Sequence, residues 1–300
     1  MINRKAISAY LIIAFGIAWI LFCLPLVIGK SSSTNGFSST LIFWSIAMWA
    51  PGVAALLTTL VVRKQPLGVL NLNRLGERKL YLYAWLIPLL LAIATAILTW
   101  AFGLGKLDIQ FSQIKEAMQN APGGTTIPVW LVVLLQIIFS ITLAPLINTI
   151  FAIGEELGWR GFLLPQLLPL GQGKAILLSG AIWGIWHAPA IIQGHNYPNH
   201  PYLGVFLMII FCILMGTLLS WLYLRTQSPW APALAHGTLN AVAGLPLMFL
   251  QGVDITLGGT IASLRGWIPL GLLVGWFYWR KLLPLKLEPD ATINVSRETI

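Results

Sequence analysis

Residues 128–160 read PVWLVVLLQIIFSITLAPLINTIFAIGEELGWR, an apolar run that ends in two adjacent glutamates and an arginine. No charged residue occurs from 129 to 153. A helix rises about 1.5 Å per residue, so this run is long enough to cross a hydrocarbon core of about 30 Å. Placing carboxylates beside such a run costs free energy unless they form ion pairs or take part in the protein's function. The stretch therefore predicts a membrane helix that holds Glu155 and Glu156 at or just below the interface.

The rest of the chain has the composition of a membrane protein. Of its 300 residues, 57% are hydrophobic and 9% are charged, whereas about 25% of residues in a soluble globular chain are charged. We predict an all-α integral membrane protein with about eight transmembrane helices that enclose a polar catalytic cavity. The first span is expected to be retained, because its apolar body is longer than a usual signal core. The predicted spans are 8–28, 41–62, 80–104, 128–153, 174–194, 202–224, 231–250 and 264–283.

The distribution of Lys and Arg predicts the orientation. If the N-terminus is cytoplasmic, fourteen of the eighteen basic residues fall in inside segments, and only Lys30, Lys106, Lys115 and Arg265 fall outside. Cytoplasmic loops of membrane proteins carry such an excess, so we predict an N-in, C-in topology in the plasma or inner membrane. The net charge of +9 then reflects topology and contact with anionic lipid, and no nucleic-acid partner is expected. Residues 1–284 are predicted to form one polytopic membrane domain, and residues 285–300 a short polar cytoplasmic tail.

The first polar cluster is the pair of glutamates with the arginine that follows. Glu156 and Arg160 are i,i+4 neighbours on a helix and can pair, while Glu155 points about 100° away. One glutamate is then neutralised, and Glu155 is left available as a general base. The alternative is that both glutamates only cap a helix and bind Arg160.

The second cluster is Trp183-Gly-Ile-Trp-His187, inside the fifth predicted span. A histidine within a bilayer must face the protein interior or water. Pro189 is expected to loosen the helix next to it. Taken alone, a histidine in such a position is more often a hydrogen-bonded packing residue.

The third cluster places His236 and Asn240 on one face of the seventh predicted span. Such side chains can bind a water, a metal ion or a developing oxyanion. They can also simply hold helices together. The other two histidines, His195 and His200, lie in a polar loop and are expected to be surface residues.

The three clusters read EExxxR, aromatic-xxxH and HxxxN, in that order on successive apolar segments. Over about residues 150–245 this arrangement resembles the CPBP family, the CAAX proteases and bacteriocin-processing enzymes, which includes the type II CAAX prenyl endopeptidases. The resemblance implies a CAAX protease-like core at about 128–250. Where the family's second motif commonly begins with Phe, this chain has Trp. The resemblance implies catalytic roles for Glu155, His187, His236 and Asn240, and supporting roles for Glu156, Arg160 and Trp183.

The resemblance implies an intramembrane endopeptidase that acts on membrane-associated substrates, including prenylated CaaX-type tails. Glu155, assisted by His187, would activate a water, and His236 with Asn240 would stabilise the oxyanion. The family is described both as metal-free and as metal-dependent. We predict that no cofactor is required; the alternative is a zinc ion held by Glu155, His187 and His236, although the chain has no HExxH string.

The predicted topology places the first motif near the cytoplasmic side. Substrate is therefore expected to approach from the cytosol or from the inner leaflet. Two other functions are open: a non-catalytic immunity or scaffold partner with the same fold, and a transporter. A transporter would be expected to show paired half-sequences, and none is evident.

Overall fold

A computed structural model describes residues 2–28, 39–121 and 127–284 of the chain. The predicted polar tail, 285–300, lies outside the described residues. Helix α1 runs from Arg4 to Ile28. A second helical stretch, Ser39–Val62, consists of α2 (Ser39–Ala47), α3 (Ala50–Leu57) and a π-helical end (Thr58–Val62). After a 3₁₀ turn at Leu67–Leu70, α4 covers Lys79–Ala101.

The fourth predicted span differs from the prediction in shape and in length. It is split into α6 (Val129–Ile141) and α7 (Leu143–Glu156), which meet at a bend of 43°. Pro145 has no N–H to donate to the Ile141 carbonyl, and that carbonyl instead accepts a hydrogen bond from the Trp85 indole at 2.8 Å. The helix also does not end at residue 153. It continues as a π-helical segment (Leu157–Leu163), α8 (Leu164–Leu167) and a 3₁₀ turn (Leu168–Leu170).

The later predicted spans are shorter or broken. The fifth consists of α9 (Gln172–Trp186) and α10 (Ala188–Ile192), and the break at His187 lies just before Pro189, as predicted. Helix α11 covers Pro201–Thr226 and α12 covers Trp230–Val242. Residues 243–250 were predicted to be helical, but the chain leaves α12 at Val242 and forms a 3₁₀ turn at Leu245–Met248. The last helix, α13, is Trp267–Trp279.

The all-α membrane class is confirmed, and each of the eight predicted segments contains a helix. Among the described residues, four single helices are long and apolar enough to cross a membrane, and the bent pair α6–α7 makes a possible fifth. The number of crossings stays a prediction, because α9, α12 and α13 are short. The four long helices are Arg4–Ile28, Ser39–Val62, Lys79–Ala101 and Pro201–Thr226.

A two-stranded sheet joins two loops at one end of the helices. Strand β1 (Lys106–Leu107) pairs antiparallel with β2 (Leu250–Gln251), with Lys106 opposite Gln251. The loop that follows β1 contains a short helix, α5 (Ser112–Gln119). A hydrogen bond from the Gln251 side chain, together with those from the Ser112 and Gln110 amides, lowers the pKa of the Asp108 carboxyl. Asp108 thereby ties α5 to the sheet.

Glycines let the motif-bearing helices approach closely. A Cβ atom on Gly237 of α12 would lie 2.6 Å from the Thr149 backbone nitrogen of α7, and one on Gly184 of α9 would lie 2.5 Å from the Ile209 Cα of α11. Small residues at such contacts are typical of helix packing in membranes. Backbone contact therefore fixes α12 against α7, and α9 against α11.

Candidate active site

One cavity of about 440 Å³ brings the three polar clusters together. Its lining includes Glu155 from the end of α7, His236 and Asn240 from α12, and Trp183 and His187 from α9. Residues of different motifs lie 28 or more positions apart in the sequence, on α7, α9 and α12. Helix packing thus assembles the residues that the sequence singled out.

Glu155 forms the buried floor of the cavity, with 2% of its surface exposed. Its Oε2 atom accepts a hydrogen bond of 2.7 Å from the Trp183 indole, and the Trp159 indole nitrogen lies 3.4 Å away. Among the described residues, no Lys or Arg forms an ion pair with it. Glu155 is therefore a carboxylate held by neutral donors and turned towards an enclosed space.

Glu156 faces away from the cavity and is neutralised by cationic groups. The Arg160 Nη1 atom lies 3.0 Å from Oε1 and 2.9 Å from Oε2, so the predicted i,i+4 pair is present. The His236 Nδ1 atom lies 2.9 Å from Oε1. The sequence analysis counted Arg160 among the loop charges that set the topology. Arg160 is instead fully buried, so it is not one of them. Removal of either partner from a buried charge pair of this kind is strongly destabilising, because the other charge is left buried and unpaired.

Trp183 lies at the centre of the site. Its ring is 4.5 Å below the Arg160 guanidinium and meets the His236 ring edge-on, with centroids 5.3 Å apart. It also meets the His187 ring, with centroids 5.6 Å apart. Together with its hydrogen bond to Glu155, these contacts make Trp183 the residue that joins all three clusters. The sequence analysis gave Trp183 only a supporting role.

The hydrogen bond of His187 fixes the tautomer of its neutral ring. Nδ1 lies 2.9 Å from the Trp183 carbonyl oxygen, and a carbonyl only accepts, so Nδ1 carries the proton. Nε2 then has a free lone pair and can accept a proton from a water or a substrate. The break between α9 and α10 leaves this residue half-buried at the cavity wall.

The same reasoning applies to His236, with a different result. Its Nδ1 donates to the Glu156 carboxylate, so the ring can donate from Nε2 only when both nitrogens are protonated. In that state the two negative charges of Glu155 and Glu156 equal the two positive charges of Arg160 and His236. Asn240, one turn further along α12, is exposed to the cavity and adds an amide donor.

The alternative zinc ligands do not form a metal site in this arrangement. No group of three or more His, Cys, Asp or Glu side chains within the described ranges is placed to hold a metal ion. Glu155, His187 and His236 share the cavity wall, but each imidazole packs edge-on against the Trp183 ring. The residues therefore do not fit a three-ligand zinc centre as they stand.

The cavity extends further than the motifs and includes residues that the sequence analysis did not select. Asn148 of α7 and Trp186 of α9 line it. His195 was expected to be a surface residue; it is exposed, but it also lines the cavity and packs edge-on against Trp44, with ring centroids 5.2 Å apart. Asn148 lies two turns before Glu155 on the same helix. That spacing is the only sequence signal that could have indicated Asn148 as a cavity residue.

Beyond the motifs, the lining of the cavity includes Trp44 at the start of the second span, His195 and the loop residues 260–262. The predicted N-in topology places these residues towards the outer side.

Comparison with known proteins agrees with the resemblance seen in the motifs. Residues 128–242 match the family described as type II CAAX prenyl endopeptidase Rce1-like, and this segment contains all three clusters. A curated relative, CAAX prenyl protease 2 of Methanococcus maripaludis, is 32% identical over 81 residues, which cover 24% of this chain and 29% of that protein. The chain thus matches less than a third of that relative's length. The resemblance is confirmed to the extent that residues 128–242 of this chain are similar to the Rce1-like type II CAAX prenyl endopeptidases.

Proposed function

We propose that this protein is an intramembrane endopeptidase that hydrolyses peptide bonds of membrane-associated substrates by means of a water activated by Glu155. One observation carries the proposal: a buried carboxylate that forms no ion pair with any described Lys or Arg faces a cavity whose lining includes His187, His236 and Asn240. The name of the curated relative, CAAX prenyl protease 2, supports prenylated CaaX-type peptides as the first substrates to test.

The proposed reaction begins when Glu155 takes a proton from a water bound in the cavity. The unprotonated Nε2 of His187 can orient this water or share the proton. The water oxygen then attacks the scissile carbonyl carbon, and the oxyanion that forms accepts hydrogen bonds from the Asn240 amide and from Nε2 of protonated His236. Glu156 stabilises that imidazolium through Nδ1. Glu155 finally returns the proton to the leaving amine, so the cycle needs no covalent intermediate.

We propose that this reaction runs without a metal ion. The support is that the candidate ligands Glu155, His187 and His236 are engaged with Trp183 and Glu156 and not with one another. If zinc were bound instead, it would lower the pKa of a bound water and so supply the nucleophile. Turnover that survives a strong chelator is the expected result.

The test is cleavage of a quenched-fluorescent farnesylated CaaX peptide by the full chain in detergent. Glu155→Gln is expected to lower kcat by at least about 10²-fold, because general-base catalysis contributes about 10²–10⁴-fold. The matched control is Glu116→Gln, the same change at an exposed glutamate of α5, which should leave turnover unchanged. Thermal unfolding and gel filtration establish that both variants are folded.

Three results would contradict the proposal. Full turnover by Glu155→Gln would remove the assigned base, and loss of turnover after chelation would replace the metal-free reaction by a metal-dependent one. Absence of turnover by folded wild-type protein on prenylated and unprenylated peptides alike would favour the non-catalytic partner.

A further inference from the structure

Asn148 of α7 is a polar side chain in the cavity wall that the proposed reaction does not use. It is half-buried and lies in the uncharged stretch 129–153. A polar side chain within a membrane span costs free energy unless it has a partner or a function. Of the residues of α7, all of which are described, only Asn148 and Glu155 line the cavity. Asn148 therefore faces the space in which the proposed reaction takes place.

One half of the Asn148 amide is already bonded to its own helix. Nδ2 lies 2.9 Å from the Ala144 carbonyl oxygen. A carbonyl oxygen only accepts, so the NH₂ group and not the amide oxygen is directed at the backbone. Within the described part of the chain, no group donates a hydrogen bond to Oδ1. Asn148 therefore offers the cavity a hydrogen-bond acceptor, whereas Asn240 and protonated His236 are assigned as donors.

The spacing between Asn148 and Glu155 is set by one helix, which continues without a break from one residue to the other. They are seven positions apart, which at about 100° and about 1.5 Å per residue places them within about 20° around the helix and about 10.5 Å apart along it. Helix α12 holds this part of α7 in place, because a Cβ atom on Gly237 would lie 2.6 Å from the Thr149 backbone nitrogen. The acceptor and the proposed base therefore lie on one face at a fixed distance.

For an extended peptide bound along α7, this distance specifies a position in the substrate. Extended chains advance about 3.3–3.4 Å per residue, so about 10.5 Å corresponds to about three residues. Resting on the proposed function, we propose that Asn148 is a substrate-binding residue whose Oδ1 atom accepts a hydrogen bond from a peptide N–H about three residues away from the bond that Glu155 hydrolyses.

This contact gives the site a preference that depends on the substrate backbone and not on its side chains. Every residue except proline carries a backbone N–H, so the contact tolerates any other side chain at that position. Proline there removes the donor and leaves the Asn148 oxygen without a partner in the closed complex, which costs free energy. The substrate is therefore an extended peptide segment with a residue other than proline about three residues from the scissile bond.

Ester substitution in the peptide tests the contact. The farnesylated peptides extend about three residues to either side of the scissile bond, and each N–H outside that bond is replaced in turn by an ester oxygen. The ester removes the donor and keeps the shape of the backbone. With wild-type protein in detergent, the ester about three residues from the scissile bond should raise KM about three- to tenfold, as for the loss of one hydrogen bond, and leave kcat nearly unchanged.

Asn148→Leu removes the acceptor with little change in volume. It should raise the KM of the all-amide peptide by a similar factor. The ester at the sensitive position should then have no further effect, because the two changes remove the same bond. Asn148→Ala should behave in the same way. The matched control is Gln136→Leu, which replaces an exposed amide of α6 outside the cavity lining and should keep the KM and the ester sensitivity of wild type.

Two kinetic results would overturn the proposal. One is an Asn148→Leu variant with the ester sensitivity of wild type at every position. The other is a loss of kcat with unchanged KM in that variant, because a displaced α7 would disturb Glu155 and not the binding of the peptide.

Binding of the same peptides to folded Glu155→Gln protein, with and without Asn148→Leu, gives a readout that does not depend on turnover. The dissociation constants should follow the KM pattern. If wild-type protein cleaves no peptide, the proposed function fails. Loss of the ester effect on Asn148→Leu in the binding assay would still support the contact, whereas an unchanged ester effect, or none in either protein, would overturn it.

Discussion

At the residue scale, the arrangement of the site depends on one indole that donates a hydrogen bond to Glu155. Trp183→Phe keeps an aromatic ring beside Arg160 and His236 and removes the N–H group. Although the family's second motif commonly has Phe here, in this chain the Trp183 indole donates to Glu155. A hydrogen bond to a charged group is worth about 1.5–3 kcal/mol, so in this chain kcat should fall by about 10- to 100-fold. Because the ring remains in the cavity wall, KM should change little. Steady-state kinetics on the farnesylated peptide measure both constants.

The neighbouring tryptophan provides the control for this prediction. Trp186 also lines the cavity, but its indole nitrogen has no hydrogen-bond partner among the described residues. Trp186→Phe makes the same chemical change without removing a bond, so kcat should be affected less. Equal losses in the two variants would mean that Trp183 contributes only volume. A loss in KM alone would point to substrate contact and not to positioning of Glu155.

The contacts of single residues show which part of the site could be predicted from the sequence. The Glu156–Arg160 pair follows from i,i+4 spacing on any helix, and the shared face of His236 and Asn240 follows in the same way. The bond between His236 and Glu156 joins residues 80 positions apart, and that between Trp183 and Glu155 joins residues 28 apart. These partners depend on how closely α7, α9 and α12 approach one another. No local pattern specifies that approach.

At the scale of the helix, the packing of α9 on α11 positions Trp183 and His187. In Gly184→Ala, the new methyl group would lie 2.5 Å from the Ile209 Cα atom, and a backbone atom cannot yield as a side chain can. Overpacking of this kind costs about 1–3 kcal/mol. We expect a lower melting temperature in detergent and a loss of turnover as α9 is displaced from α7. Differential scanning fluorimetry measures the first effect.

A second glycine of the same helix makes a matched control. Gly173, in the first turn of α9, has open space around its Cα atom. Gly173→Ala should be neutral or slightly stabilising, since alanine is favoured over glycine in a helix by about 0.5–1 kcal/mol. If both alanine variants melted like wild type, close packing at Gly184 would not be what holds α9 in place.

The helices also show why element boundaries were harder to predict than element types. Apolar runs identified every long helix, and Pro189 indicated the break at His187. The bend near Thr142 depends on the Trp85 indole that bonds to the Ile141 carbonyl, a contact from another helix. The extension of the helix beyond Glu156 to Leu170 depends on buried partners for Arg160, whereas hydropathy alone treats a charged residue as the end of a span.

At the scale of the whole molecule, the N-terminal helices pack on residues 128–242, which we call the family segment, and form one unit with it. Tyr10 of α1 stacks on Phe162, with ring centroids 4.8 Å apart, and the Trp19 indole donates to the Trp186 carbonyl at 3.1 Å. Pro51 contacts Gly158 beside the glutamates. The N-terminal helices therefore cover the helix of Glu155 and contribute residues such as Trp44 and Met48 to the cavity wall.

A single folding unit of this kind predicts how the chain behaves when it is divided. Residues 127–300 expressed alone leave the surfaces around Phe162 and Trp186 uncovered, so we expect aggregation in detergent and no turnover. Co-expression with residues 1–121 should give a complex that copurifies and cleaves the farnesylated peptide. Tyr10→Ala in the smaller fragment should reduce copurification, since it removes the ring stacked on Phe162. A monodisperse fragment 127–300 with the turnover of the full chain would show instead that the family segment folds alone and that the N-terminal helices are an accessory layer.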